Sequence, residues 1–487
     1  MTASARGSRR VVAACAGLAL LLVAVFVWLA HGEYFYGDDL VFLRRARMPR
    51  DWLSVFVSFK PRGWWSYRPL SIEVFFSALN ATAGLDPFPH PLASVLTHLA
   101  AGALVYRIAV QLEVDRRVAL VAGLLKVSMY PSLNGELFWI SAFQTVLGTF
   151  FYLLTVTLFV DFLQEGGRNR RVAASVAMIL ALLSNELALT LPGPLVLLAV
   201  FHGNGGVATR LRAAIRACAP LVVILGAYLP FRYWLIWESF LPTPALNVPH
   251  LGWHVVTNVR NFVRILTGRS TAPQLLLLAL VAAGRLVAAW RRDGAAGTLA
   301  RRTLLLWGWL RCAMVPFLGA YFLHHRAAIV LEAPFCLLIA SHLDPIARAA
   351  STRRGTRALE VAMAGLLLAP FPYRTIVDQA RMPRGQVNRD LLAMLEREPL
   401  PLVQGTCVRL VTRPGDAWTS AELLALRLCR DRRDRAAARR RGQPADVRAA
   451  SHGPGRELIL ARCPSRSESD DRDFLSRRRI DSSPHAR

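Results

Sequence analysis

The stretch VVAACAGLALLLVAVFVWLA, residues 11–30, contains no charged residue and no proline. A helix of about 20 apolar residues is long enough to cross the hydrocarbon core of a bilayer. The stretch is longer than the apolar core of a signal peptide and carries no convincing small-x-small cleavage site. Three arginines, Arg6, Arg9 and Arg10, precede it, and basic residues favour the cytoplasmic side. We therefore predict a retained transmembrane helix whose N-terminal end is cytoplasmic.

Apolar runs recur as far as about residue 371 in a chain of 487 residues, of which 54% are hydrophobic, with a mean hydropathy of +0.35. This composition is typical of a polytopic membrane protein. Further spans are predicted to begin near residues 92, 118, 138, 172, 189, 214, 272, 303, 327 and 357. The sequence thus predicts a mainly α-helical membrane protein with about eleven transmembrane helices.

Arginines are concentrated in alternate short loops between these spans. They are Arg116 and Arg117; Arg168, Arg170 and Arg171; Arg210 and Arg212; Arg291, Arg292, Arg301 and Arg302; and Arg348, Arg353, Arg354 and Arg357. The other short loops nearly lack basic residues, apart from Arg326. The positive-inside rule then places the N-terminus in the cytoplasm, and residues 31–91, residues 237–271 and the C-terminal tail on the outer face. The bias towards Ala and Arg over Lys suits a GC-rich bacterial genome, and we expect the chain in the bacterial cytoplasmic (inner) membrane.

The chain becomes polar and arginine-rich beyond the last predicted span. We predict three regions: a transmembrane domain at 1–371 with a cap-forming first outer loop at 31–91, a small soluble α/β appendage at 372–465, and a disordered Arg-rich tail at 466–487. Within the appendage, TCVRLVTRP (406–414) and RELILARC (456–463) predict strands, and AWTSAELLALRLCRD (417–431) predicts a helix. Cys407 and Cys463 flank the two strands, and their pairing is left open.

The net charge of +27 suggests a nucleic acid as one class of partner. The basic residues, however, are scattered through loops and the tail rather than gathered on one helix face with interleaved aromatics, so no nucleic acid partner is predicted. The seven cysteines form no zinc-type cluster, and there is no GxxxxGKS loop for ATP.

The segment FYGDDLVFLR, residues 35–44, places Asp38 and Asp39 side by side just beyond the first span. The long aromatic loop that follows predicts a folded cap with amphipathic helices at the membrane interface. Adjacent carboxylates can share a divalent cation such as Mg²⁺ or Mn²⁺, or one of them can act as a general base. The alternative is structural, since Asp also favours the N-cap of a helix.

Two further features of this loop are candidates for function. In SYRPLS, residues 66–71, Arg68 suits a phosphate because its guanidinium can bind two oxygens at once, although a snorkelling arginine fits the pattern as well. His90 and His98 lie near the outer end of the second span, where a polar side chain is either functional or packed against a neighbouring helix.

Taken in order, these elements resemble the GT-C superfamily of integral membrane glycosyltransferases, especially bacterial relatives of the protein O-mannosyltransferases and the membrane domain of the TPR-containing mannosyltransferases. The matching residues are Asp38 and Asp39; Tyr67, Arg68, Pro69 and Leu70; His90 and His98; Glu136, Trp139, Ser141 and Gln144; and Asn185 and Glu186. The resemblance covers residues 11 to about 205. TPR repeats are absent, and the family's later Arg-Tyr element with YLP is represented here by YFLHHRAAIVLEAP (321–334).

The resemblance implies an inverting transfer of sugar from a polyprenyl-phosphate donor to an unknown glycan, lipid or protein acceptor at the outer face. It implies that Asp39 or Asp38 is the catalytic base, with Asp39 weakly favoured. Arg68, with Arg326 or His325, is then expected to bind the donor phosphate. The supporting or substrate-binding residues are expected to be Tyr67, His90, His98, Glu136, Trp139, Gln144 and Glu186. A carrier of lipid-linked saccharides and a non-catalytic membrane scaffold are the alternatives, and a carrier needs ionisable residues deep within several spans.

Overall fold

The computed structural model describes residues 20–46, 51–57, 66–129, 137–236, 297–318 and 325–349, a few isolated residues, and three short strands between residues 406 and 462. The chain divides into two units. The first comprises residues 1–34 and 45–384, and the second comprises residues 35–44 and 385–487. The predicted domain boundaries at 371 and 465 stay predictions.

The described part of the chain is predominantly helical. Its helices are α1 (Leu20–Gly32), α2 (Asp38–Ala46), α3 (Trp52–Val57), α4 (Phe75–Ala83), α5 (Pro89–Gln111), α6 (Arg116–Ser128), α7 (Phe143–Glu165), α8 (Arg168–Ser184), α9 (Pro192–His202), α10 (Val207–Ile236), α11 (Thr298–Leu318) and α12 (His325–Ala349). A π-helical turn, Pro69–Val74, leads into α4, and two 3₁₀ turns, Ile140–Ala142 and Glu186–Thr190, precede α7 and α9.

Local sequence sets several helix ends. Asp115 caps α6, because its Oδ1 accepts a hydrogen bond from the backbone N–H of Arg117 at 2.9 Å. Proline opens α5 and α9, where the missing N–H costs nothing. Gly166 ends α7 in the left-handed region, with φ +69°, which glycine adopts without strain. Short connections therefore join α5 to α6 and α7 to α8.

Small residues let neighbouring helices of the first unit approach closely. A Cβ atom added to Gly102 of α5 would lie 3.0 Å from the carbonyl oxygen of Gly123 in α6, and one added to Gly123 would lie 2.8 Å from that of Gly102. A Cβ added to Gly148 of α7 would lie 2.5 Å from the Cβ of Asn185. Close backbone contact at small residues is typical of helix packing in membranes. The contact at Gly148 holds the turn after α8 against α7.

Three helical segments of the described residues are long and apolar enough to cross a membrane: α5, Ile140–Glu165 and α10. The helices α1 and α9 are apolar but shorter. Helices α5, α6, α8, α9, α11 and α12 begin close to predicted span starts, whereas the starts near 272 and 357 lie outside the described residues. The helical membrane fold agrees with the sequence, and the number of about eleven spans stays a prediction.

In the second unit, β1 (Thr406–Val411), β2 (Ala450–Ser451) and β3 (Glu457–Arg462) form an antiparallel sheet in the order β1-β3-β2. Strands β1 and β3 lie within the two segments in which strands were predicted. Cys407 pairs in register with Ala461. The predicted helix at 417–431 and Cys463 lie outside the described residues.

Candidate functional site: an arginine cluster at one end of the helices

The acidic pair lies in the first turn of α2, and its two carboxylates have different surroundings. Asp38 is exposed, whereas Asp39 is fully buried. Oδ2 of Asp39 accepts a hydrogen bond from the backbone N–H of Tyr36 at 2.8 Å. A side chain in the first turn that binds an N–H just before the helix stabilises the helix start, as in a capping box. Asp39 thus has a structural contact, and Asp38 is the carboxylate open to solvent.

The described residues contain no group of three or more His, Cys, Asp and Glu side chains that could hold a metal ion. Mg²⁺ often binds through only one or two carboxylates together with water and substrate phosphate. Asp38 offers one open carboxylate for such a site, whereas Asp39 already accepts a backbone hydrogen bond. The divalent cation stays a prediction.

Arg68 precedes the π-helical turn and contacts two of the predicted site residues. Its Nε donates to Oε2 of Glu186, and its Nη1 donates to Oε1 of Gln144 at 2.5 Å. The neighbouring backbone N–H of Tyr67 donates to Oε1 of Glu186 at 3.2 Å. Glu186 lies 118 positions further along the chain, so packing rather than local sequence creates this contact. The structure therefore brings Tyr67, Arg68, Gln144 and Glu186 together.

Several contacts fix the position of Glu186. Asn185, at the end of α8, accepts a hydrogen bond from the N–H of Leu187 at 3.0 Å and so caps the 3₁₀ turn that begins at Glu186. The hydroxyl of Ser71 donates to the carbonyl oxygen of Ser184 at 2.6 Å, which attaches the π-helical turn to the end of α8. The π-helical turn after Arg68 and the 3₁₀ turn that begins at Glu186 are thus each held by a hydrogen bond between a side chain and the backbone.

A second arginine, Arg232 of α10, reaches the same carboxylate. Its Nη2 lies 3.3 Å from Oε1 of Glu186. One turn earlier, the hydroxyl of Tyr228 donates to the carbonyl oxygen of Leu182 at 3.0 Å, and its ring lies 6.2 Å from that of Tyr67. Neither Arg232 nor Tyr228 was predicted from the sequence, although YLPFRY at 228–233 contains an Arg-Tyr pair with YLP, as in the family that the sequence resembles. It is a closer match than YFLHHR at 321–326.

We call Tyr67, Arg68, Gln144, Glu186 and Arg232 the arginine cluster. It combines two guanidinium groups with one carboxylate. Burial acts to raise the pKa of Glu186, but the charges of Arg68 and Arg232 and the hydrogen bond from Arg68 outweigh it and lower that pKa below 4.5. Burial raises the pKa of Tyr67 to about 12, so its phenol stays neutral. The side chains of Arg68 and Arg232 remain 24% and 18% exposed, so the surplus positive charge is accessible to an anion.

The two predicted histidines are buried in α5. The ring of His90 lies 5.8 Å from that of Phe75 and 5.6 Å from that of Phe76. The Nε2 of His98 lies within hydrogen-bond distance, 3.1 Å, of the carbonyl oxygen of Val127. These are packing contacts, and the predicted substrate-binding role of both histidines stays a prediction.

The remaining predicted residues are less completely described. Trp139 is half-buried and precedes the 3₁₀ turn before α7. Glu136 lies outside the described residues. His325 and Arg326 begin α12, and their side chains lie outside what the structure describes. Their predicted roles stay predictions.

A second charged pair, which we call the buried pair, lies between α6 and α12. Nζ of Lys126 lies 2.5 Å from Oε2 of Glu332, and both side chains are 0% exposed. Neither residue was predicted from the sequence to have a role. The single charge in each of the apolar segments GLLKVS and AIVLEAP is the signal that identifies this pair.

No protein-family model matches the chain, and no curated protein matches it in sequence. Among solved structures, the chain is similar to ArnT from Cupriavidus metallidurans in the apo state, with 14% identity over 92% of this chain and 97% of ArnT and a TM-score of 0.50. ArnT bound to undecaprenyl phosphate is 14% identical over 91% of this chain and 98% of ArnT, with a TM-score of 0.49. An oligosaccharyltransferase from Archaeoglobus fulgidus in the apo form is 12% identical over 78% of this chain and 58% of its own chain, with a TM-score of 0.45.

The likeness to apo ArnT extends over nearly the whole of both chains and concerns the fold. It agrees with the order of motifs in the first 205 residues of the sequence. The chain therefore shares the overall fold of ArnT.

Proposed function

We propose that the chain is a glycosyltransferase that moves a sugar from a polyprenyl-phosphate donor to an acceptor at the outer face of a bacterial cytoplasmic membrane. The observation that carries the proposal is the arginine cluster. Two partly exposed guanidinium groups, those of Arg68 and Arg232, are held by the single carboxylate of Glu186. Such a site favours a phosphate, because guanidinium groups match phosphate oxygens in both charge and geometry.

The transfer itself needs a base and an anion-binding group. In the proposed step, a carboxylate takes the proton of the acceptor hydroxyl, and the hydroxyl oxygen attacks the anomeric carbon of the sugar. The bond between that carbon and the donor phosphate oxygen breaks, and its electron pair stays on the leaving phosphate. Arg68 is proposed to stabilise the charge that develops on this phosphate.

The base is assigned to the acidic pair on the sequence motif, and the exposure of the two carboxylates refines the choice. The sequence weakly favoured Asp39, but Asp39 is buried and accepts a hydrogen bond from Tyr36. Asp38 is exposed and therefore accessible to an acceptor. We propose Asp38 as the base and Asp39 as the residue that stabilises the start of α2.

The donor class and the topology follow from the sequence. ArnT, whose apo structure resembles this chain, has also been crystallised with undecaprenyl phosphate, a lipid of the proposed class. The arginine pattern of the loops assigns the ends of α8 and α10 that carry the arginine cluster to the outer face. The eleven spans, the α/β appendage after residue 371 and the extracytoplasmic tail are part of the same proposal.

The test is sugar transfer from a panel of labelled polyprenyl-phosphate sugars in membranes that contain the full chain. With wild-type protein, we expect label to move from one donor of the panel to an acceptor. With Asp38→Asn, transfer is expected to fall at least about 100-fold, because general base catalysis contributes about 10²–10⁴-fold.

Asp86→Asn is the matched control. Asp86 is an exposed carboxylate of the same predicted outer loop, where it accepts a hydrogen bond from the N–H of Phe88, and its replacement is expected to leave transfer unchanged. Equal transfer by wild type and a well-expressed Asp38→Asn variant rules out Asp38 as the base. No transfer from any donor of the panel by the wild type counts against the enzyme.

A carrier of lipid-linked saccharides is the second candidate, because one observation favours it. Lys126 and Glu332 are ionisable groups buried within the helices, as carriers often require. The same labelled donors distinguish the two, since a carrier moves the intact lipid-linked sugar across a vesicle membrane without forming a new glycosidic bond.

A further inference from the structure

A cavity of about 220 Å³ lies where α5, α7 and α9 end and α11 begins. Its walls include Gln111, Gln164, Thr298 and Arg301. Gln164 is in the last turn of α7, and Gln144 of the arginine cluster is in the first, so the cavity lies at the other end of the helices. At about 30 Å³ for each water molecule, the cavity has room for about seven waters or for a small polar headgroup.

One wall of the cavity carries the positive charge of Arg301. Nη2 of Arg301 donates to the carbonyl oxygen of Phe201 at 2.7 Å, and its guanidinium lies 5.2 Å from the centre of the Phe201 ring. None of the carboxylates in the described part of the chain pairs with Arg301, whereas its neighbour Arg302 lies 2.9 Å from Asp344. Thr298 begins α11, and the first backbone N–H groups of a helix attract anions, whereas the N–H of Arg301 donates to the carbonyl oxygen of Gly297 at 3.0 Å. This wall therefore suits a phosphate.

The wall formed by the end of α5 offers oxygen acceptors instead. Glu113 adopts a left-handed backbone conformation, with φ +61°, at the position after a helix where glycine is usual. Its side chain is 81% exposed, and Arg302 lies 3.6 Å away. Oε1 of Gln111 is buried and has no hydrogen-bond partner among the described residues. Of these two groups, the exposed Glu113 carboxylate is accessible to a donor that carries several N–H groups.

We propose that this cavity binds the phosphoethanolamine headgroup of a membrane lipid, with the phosphate against Arg301 and Thr298 and the ammonium against Glu113. A primary ammonium has three N–H donors and can donate to the Glu113 carboxylate, whereas the trimethylammonium of a choline headgroup has none. This role accounts for a glutamate at a strained backbone position. Glycine at position 113 would relieve the strain, but it would remove the carboxylate that contacts the ammonium. The site is independent of the proposed sugar transfer.

The test uses the purified full chain in detergent, with phosphatidylethanolamine, phosphatidylcholine or phosphatidylglycerol added at equal concentrations. Bound lipid is counted by native mass spectrometry, and stabilisation is followed by thermal unfolding. Wild-type protein is expected to bind phosphatidylethanolamine about ten-fold more tightly than phosphatidylcholine, the size expected for one or two charge-assisted hydrogen bonds. Glu113→Gln and Arg301→Gln are each expected to reduce this preference to about two-fold or less.

Two further variants separate binding from folding. Glu165→Gln removes an exposed carboxylate at the end of α7 and is expected to keep the lipid preference. Glu113→Gly removes the carboxylate but relieves the backbone strain, so it is expected to lose the preference while remaining at least as stable without lipid. Equal binding of the two lipids by the wild type, or an unchanged preference in Glu113→Gln, overturns the proposal.

Soluble O-phosphoethanolamine distinguishes the source of the headgroup. If it displaces the lipid at comparable concentration, the headgroup alone is recognised and a free phosphoamine is an equivalent ligand. If only the lipid binds, the acyl chains contribute and the ligand is a membrane lipid, as proposed. Binding of neither overturns the proposal.

Discussion

The arginine cluster and the buried pair both join cationic side chains to a carboxylate, but they differ in their exposure to solvent. In the arginine cluster, two guanidinium groups share the carboxylate of Glu186 and remain partly exposed. In the buried pair, the ammonium of Lys126 and the carboxylate of Glu332 are 0% exposed. A closed ion pair offers nothing to a ligand, and breaking it leaves a charge without solvent. An open cluster with surplus charge can exchange one anion for another.

The comparison indicates that the partly exposed charges of the arginine cluster serve binding, whereas the buried charges of Lys126 and Glu332 serve stability. Lys126 and Glu332 join α6 to α12, so they fix two helices that are distant in sequence. Arg68 and Arg232 join a loop and α10 to the turn after α8, at a place that solvent reaches. We therefore expect changes in the buried pair to act mainly on folding and changes in the arginine cluster to act mainly on substrate binding.

The largest expected effect is the replacement of Lys126 by methionine. This change leaves the Glu332 carboxylate buried without its ammonium partner, and we expect a loss of about 3–5 kcal/mol in the free energy of unfolding. Thermal unfolding of the purified chain in detergent measures it. The double variant Lys126→Met, Glu332→Leu is expected to recover most of the loss, because two apolar side chains replace two charges. A single variant as stable as the wild type would contradict the role assigned to the pair.

For Arg68→Gln, the expected effect is on activity rather than stability, and it corresponds to a smaller free-energy change than that of Lys126→Met. The ratio kcat/KM for the lipid-linked donor should fall about 100-fold, equivalent to about 2.7 kcal/mol, because a charged donor to the phosphate is lost. Arg68→Lys should retain part of the activity, since lysine keeps the charge but not the planar fork. Arg107→Gln, which breaks a pair with Asp161 at the other end of the helices, is the matched control. Equal losses in the Arg68 and Arg107 variants would mean that Arg68 acts through stability alone.

The smallest effect is expected from Glu186→Gln, and it depends on pH. The folded-state pKa of Glu186 lies below 4.5, so its ionised carboxylate stabilises the fold fully above about pH 4.5, and this stabilisation is lost as the pH falls through the folded-state pKa. The difference in unfolding temperature between wild type and variant should therefore be constant near neutral pH and shrink in acid. A difference that grows on acidification would show that the assigned direction of the pKa shift is wrong.

Local motifs predicted a helical membrane fold and several members of the arginine cluster, but not the contacts between distant helices. SYRPLS and LSNELAL each identify one residue of the Arg68–Glu186 pair, because the motif order resembles a family. Arg232 and Glu332 escaped attention because their importance depends on which helix face meets a neighbour, and that is decided by packing such as the contact of Gly148 with Asn185. Likewise, only the exact start of α2 separates an exposed Asp38 from a buried Asp39.

The 118 positions between Arg68 and Glu186 have a consequence for biosynthesis. At about 5–20 residues per second, the ribosome adds Glu186 roughly 6–24 s after Arg68. Throughout that interval the first loop has no carboxylate from the end of α8 to hold it, and Arg232 follows later still. The arginine cluster therefore cannot be complete before α10 has been synthesised. Its hydrogen bonds form only when α7, the turn after α8 and α10 are packed together.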